Sequence, residues 1–223
     1  MKINNIPTEI SRKKIKNMYI RVLPPIANVK VSVPKHLSDK EIYEFIESHK
    51  DWIEKKRRYI LENKIQAPLK YKSGETHCLW GEKYILKVIS NEKVKDITVN
   101  NGIIYLPVSK RSTIKSRKKA LNEFYRLEMK KNIPPLLNKC INIVGKQPNE
   151  VKIRDMKNWG NCHFQDKRIT LNLKLATKPR ICLEYVIIHE LTHLIEFNHS
   201  KNFKKLMEEF LPNWREIKEL LNK

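Results

Sequence analysis

One stretch constrains this chain more than any other: His189-Glu190-Leu191-Thr192-His193, with His199 six residues further on. Residues 180–197 contain no Gly or Pro, and Ile187, Ile188, Leu191, Leu194 and Ile195 cluster around one direction of a helical wheel. His189 and His193, at i and i+4, fall on roughly the opposite side. One helix can therefore bury its apolar stripe and aim two imidazoles at a common metal. Glu190 lies about 100° round from His189, where it can act on a water without being a ligand.

Two histidines leave a catalytic zinc short of its usual three protein ligands. His199 is the expected third. Asn198 tolerates left-handed backbone and ends helices, and Ser200 can cap a new helix through Phe203, Leu206, Met207 and Phe210. Glu208 or Glu209 on that helix is the competing third ligand. The expectation is one zinc per chain. The spacing H-E-x-x-H-x5-H is that of metzincins, but Glu196 stands where that pattern has glycine, so the turn must be built differently.

The chain has 223 residues, enough for one large domain or two small ones. No run of eighteen apolar residues suggests a membrane span, and the N-terminus lacks an apolar signal core. The expected location is therefore cytoplasmic. Cys78, Cys140, Cys162 and Cys182 form no C-x-x-C and are expected to stay reduced. The formal net charge is +22 and unevenly spread. Of 46 basic and 24 acidic residues, seven of each lie in 180–223, which leaves 39 and 17 in 1–179. A basic body beside a neutral catalytic end points to a polyanion partner, DNA or RNA first. A solvated lysine face and coding bias are the bland alternatives. Aromatic interleaving is weak in the densest basic run, 110–119.

Two strands are expected at 18–23 and 29–33, joined at Pro24-Pro25. Ser38-Asp39-Lys40-Glu41 reads as a capping box opening one amphipathic helix that carries Ile42, Phe45, Ile46, Trp52, Ile53 and Ile60. Strands follow near 77–80, 84–89, 96–99 and 103–106, with Asn100-Asn101-Gly102 as a hairpin turn. A helical segment over 109–144 should break or kink at Pro134-Pro135. Strands at 151–156 and 168–173 precede the histidine helix, and 169–173 is the candidate edge strand for an extended substrate. The division expected is a β-rich region with one helix, 1–108, and a helical core, 109–223.

Several segments together resemble the YgjP-like metallopeptidase family. They are 155–162 (Asp-Met-Lys-Asn-Trp-Gly-Asn-Cys), 169–173 (Ile-Thr-Leu-Asn-Leu), 183–191, and Asn198-His199-Ser200 with Phe203, Met207, Pro212 and Trp214. In the front half Val31-Ser32-Val33-Pro34, Trp52-Ile53, Ser73-Gly74-Glu75 and Trp80-Gly81-Glu82-Lys83-Tyr84 extend it over nearly the whole chain. Asn161 replaces the serine that the family usually carries after its Trp-Gly. The family is similar in its core to SprT-like and WLM-type zinc proteases. The resemblance implies an α+β fold: a β-rich N-terminal half, then a zincin-like helical half with a small sheet beside the H-E-x-x-H helix. It also implies zinc on His189, His193 and His199, with Glu190 as catalytic acid/base and a peptide or protein as substrate. SprT and Spartan act on DNA or DNA-bound protein, so the basic charge fits by analogy. The alternative is a nucleic-acid-associated accessory protein whose zinc site is structural or vestigial.

Overall fold

The computed structural model describes residues 2–3, 6–63, 67–90 and 96–222. The fold is α+β, and the chain divides into two compact units, Met1–Leu69 and Lys70–Lys223.

The first unit is a four-stranded sheet with two helices. Strands β1 (Lys2–Ile3), β2 (Ile6–Lys13), β3 (Tyr19–Leu23) and β4 (Asn28–Pro34) lie in the order β1-β2-β4-β3. Val29, Val31 and Val33 alternate onto one face of β4 and are almost fully buried. They pack in one cluster with Ile42 and Ile46 of α1 (Asp39–Ser48) and Ile53 and Ile60 of α2 (Lys50–Glu62). The Ser38 capping box is present: its Oγ accepts from Glu41 N, and the Glu41 carboxylate accepts from Ser38 N. The expected single helix is instead two, divided at His49, whose ring Nδ1 turns back to the carbonyl of Phe45. Trp52, expected on the buried face, is left 48% exposed.

The second unit opens with β5 (Thr76–Leu79), β6 (Glu82–Ser90), β7 (Thr98–Asn100) and β8 (Ile103–Val108), in the order β5-β6-β8-β7. Asn101 and Gly102 both have positive φ, the two-residue turn that matches strand twist and closes the β7–β8 hairpin. Leu79, Leu86, Ile104 and Leu106 share one core with the helices that follow. The boundary expected at 108/109 therefore falls inside this unit: the sheet has no separate core of its own to make it a domain.

Helix α3 (Ile114–Val144) continues unbroken through Pro134 and Pro135. Each proline removes a backbone donor, at a cost of about 3 kcal/mol. Both lie on the exposed face, where the carbonyls of Lys130 and Lys131, also exposed residues, can turn to water. Leu121, Tyr125, Met129, Ile133, Cys140 and Val144 are buried on the other face, before and after the prolines. At about 1.5–3 kcal/mol for each large apolar side chain, that burial outweighs the break.

A third sheet, β10-β11-β9, then leads to the histidines: β9 (Glu150–Arg154), β10 (Gly160–His163) and β11 (Arg168–Asn172). β11 pairs on both sides, parallel to β9 and antiparallel to β10. The expected edge strand is thus the central one, as its run of buried residues from Ile169 to Asn172 requires. The edge strands are β9 and β10. A 3-10 turn (Leu173–Thr177) leads into α4 (Arg180–Thr192), followed by α5 (Lys201–Phe210) and α6 (Trp214–Asn222). No described helix is long and apolar enough to cross a membrane.

Candidate metal centre

Helix α4 is buried around nearly its whole circumference, with Cys182 through Ile188 and Glu190 through Thr192 all inaccessible. The opposed-stripe picture is too simple: α3, α5, α6 and the third sheet cover this helix beyond Arg180 and Ile181, and only His189 is left partly open there. The helix also stops at Thr192, not at residue 197, and His193 is its cap. The next turn is held by Thr192, whose carbonyl accepts from the backbone N–H of both Ile195 and Glu196. Ending the helix early frees residues 193–199 to fold back. Ser200 Oγ accepts from Phe203 N and starts α5, as its sequence position suggests.

This turn brings His189, His193 and His199 together, with ligand-capable atoms all within 4.8 Å of one another. The Nε2 atoms of His189 and His199 are 3.0 Å apart. Nitrogens on a tetrahedral zinc, at about 2.0–2.1 Å from the metal, stand about 3.3 Å from each other, so the set fits such an ion. The proton states fit as well. His193 Nδ1 lies 3.2 Å from the Glu196 carbonyl, which can only accept, so Nδ1 carries the proton and Nε2 keeps its lone pair. Burial, then the neighbouring histidines and Lys218, push His189 down to about 3, and burial lowers His193. Both stay neutral, the form that binds metal. Among the described residues this is the one cluster able to hold an ion. Glu208, the competing ligand, pairs with Arg215, and Glu209 is outside the cluster.

Glu190 is 4% exposed, and burial alone pushes its carboxyl up to about 8. Its side chain lies on the backbone of Gly160: a Cβ built there would stand 2.2 Å from Oε1 of Glu190. The glycine at the start of β10 is what lets helix α4 bring this carboxylate up to the strand. Asn172, almost fully buried, supports the approach to Gly160. Its Nδ2 donates to the carbonyls of Met156 and Asn158, its Oδ1 accepts from Lys174 N, and its N–H donates to Trp159 O. Neither role could be read from the sequence, although a glycine inside a strand is a usual sign of close approach.

Phe203 is the other contributor that sequence reading missed. Its ring lies within 4.6–5.0 Å, centroid to centroid, of all three histidine rings. Tyr185 contacts His189 edge-on at 5.8 Å and stacks on Trp214. Glu196 serves through its carbonyl, while its carboxylate accepts from Asn202. The histidines and Glu190 line a cleft of about 260 Å³ whose other wall is Asn158, Gly160, Asn161, Cys162 and Phe164. The Cys162 thiol, pushed up to about 11 by burial and by Glu190, is neutral there.

Compared with known families, residues 16–223 match the YgjP-like metallopeptidase domain. Among solved structures the chain is similar to the metallopeptidase zymogen of Pyrococcus abyssi abylysin. The two share 28% identity and a TM-score of 0.38, over 40% of this chain and 90% of that one. No curated protein matches it. The family match covers both units and carries the three histidines and Glu190 within it, so the chain belongs to the YgjP-like metallopeptidase family.

Proposed function

We propose that this chain is a zinc-dependent peptidase in which His189, His193 and His199 hold one zinc ion and Glu190 is the general base. The observation that carries the reading is the convergence of three imidazoles and one buried carboxyl group in a single cleft. Zinc held there supplies Lewis acidity, making water nucleophilic near neutral pH and polarising a carbonyl. Glu190 takes the proton released as water adds to the peptide carbonyl, then delivers it to the departing amine. Its buried setting favours that shuttle, because a carboxyl with a raised pKa holds a proton as readily as it releases one. The free edge of β10 offers unpaired backbone groups beside the cleft, and an extended peptide can add to it as a further strand.

The test is Glu190→Gln. It should keep zinc and lose peptidase turnover by about 10²–10⁴-fold. A variant that cleaves a responsive peptide as fast as the parent contradicts the assignment.

The charge distribution supports a second property, polyanion binding by the basic body. On α2 the exposed Trp52 and Tyr59 share a face with Lys55 and Lys56, the aromatic-and-cation pattern absent from 110–119. A DNA or RNA partner bound there would bring the peptidase to nucleic-acid-associated protein.

A further inference from the structure

Two phenylalanines stand at the mouth of the cleft and take no part in either hydrophobic core. Phe164 follows the last residue of β10, and Phe197 lies in the turn between His193 and His199. One ring therefore comes from the sheet side of the cleft and the other from the ligand side. They meet edge to face, with centroids 6.3 Å apart and planes at 86°. Phe164 is 48% exposed and Phe197 67%. Large aromatic surfaces left in water are unfavourable, and the described fold covers neither of them. Both line the same cleft as His189, Glu190 and His193, so whatever occupies the cleft meets these rings.

We propose that Phe164 and Phe197 form a side-chain subsite that selects an aromatic or large aliphatic residue next to the scissile bond. The inference rests on the peptidase reading above. Apart from the histidines and Glu190, the described residues lining the cleft are uncharged: the two phenylalanines with Asn158, Gly160, Asn161 and Cys162. An apolar side chain would bury itself against the exposed surface that the two touching rings present to the cleft, whereas Asp or Lys would lose water with no ion pair in return. Because the rings come from both walls, an occupant would also bridge the β10 edge and the ligand-bearing turn. That holds the peptide across Glu190.

The experiment uses fluorescein-labelled octapeptides of Ala, Gly and Ser with one variable position: Phe, Leu, Gly, Asp or Lys. Affinity is read by anisotropy with the full-length, zinc-loaded Glu190→Gln protein, and cut positions are read by mass spectrometry with the parent. The Phe and Leu peptides should bind roughly 10-fold or more tighter than the Asp and Lys peptides. Adding Phe164→Ala or Phe197→Ala should shrink that preference to about 2-fold, leaving the Asp and Lys affinities unchanged. Both side chains are substantially exposed, so these variants should fold as the parent does. Equal affinity for all five peptides, no binding of any, or a preference untouched by both alanines would overturn the subsite. A parent that cuts without preference also overturns it while leaving the peptidase reading standing. A parent that cuts nothing, while the Phe- and Leu-dependent binding persists and falls in the alanine variants, defeats the peptidase reading and keeps the subsite.

Discussion

Glu190 and Gly160 act as a pair, because the side chain of one occupies the space a Cβ would take on the other. An alanine at 160 would place a methyl group 2.2 Å from the tip of the Glu190 side chain. The clash extends to Cδ at 2.7 Å and Cγ at 2.8 Å of a buried side chain, so the whole of Glu190 must shift and the melting temperature should fall by roughly 5 °C or more. The carboxylate cannot move without leaving its working position, so turnover should fall about 100-fold. Gly160→Ala with parental kcat would contradict the contact. His77 gives a pH-dependent case away from the site. It is buried in β5 with Nε2 lacking a hydrogen-bond partner, and burial lowers its pKa despite Glu75 nearby. The folded chain keeps it neutral, while the unfolded chain protonates it below about pH 6.5. Its stabilising contribution is therefore complete above that pH and is lost as pH falls below it. In thermal melts from pH 7.5 to 5, His77→Gln should show a shallower decline than the parent. Equal slopes would remove His77 from the acid sensitivity.

At the scale of elements, what was legible in the sequence was local. The Asn101-Gly102 turn, the Ser38 capping box and the Ser200 cap are set by neighbours within a few residues, and each appears where its chemistry places it. The pairing of His189 with His193 is equally local. Sheet order is harder: β11 looked like an edge strand because it precedes the histidine helix, yet β10 pairs with it across a short hairpin, β9 pairs on its other edge, and Ile169 to Asn172 are buried. The third strand, Gly160–His163, is short and mostly polar, with no periodic signal to announce it. Pro134 and Pro135 leave α3 unbroken for a related reason. Local chemistry opposes a helix there, and burial on the opposite face of α3 overrides it. The end of α4 at Thr192 follows the same rule, since it serves the return of His199, ten residues beyond His189. The roles of Phe203 and Asn172 were not legible, because nothing in their sequence neighbourhood shows that one will pack on the histidines and the other will hold the approach to Gly160.

For the molecule as a whole, chemistry and charge separate along the sequence but not by unit, since residues 70–223 carry 31 of the 46 basic and 16 of the 24 acidic residues. All three histidines, Glu190 and the cleft lie in the second unit, and residues 180–223 are electrically neutral. The net positive charge lies in residues 1–179. If that charge serves a polyanion, affinity for a single-stranded oligonucleotide should fall steeply between about 50 and 200 mM salt. Trp52→Ala with Tyr59→Ala should weaken binding further, at about 1–3 kcal/mol per stacked base. Binding that ignores salt, or no binding at low salt, would reduce the charge to composition. The central claim is narrower: three histidines hold one zinc ion and Glu190 is not a ligand. It is tested most directly by metal content, measured on full-length parent, His189→Ala, His193→Ala, His199→Ala, Glu208→Ala and Glu190→Gln. About one zinc per chain is expected in the parent, Glu208→Ala and Glu190→Gln, with a large loss in each histidine variant. Full zinc retention in His199→Ala, or its loss in Glu190→Gln with the fold intact, would contradict the account.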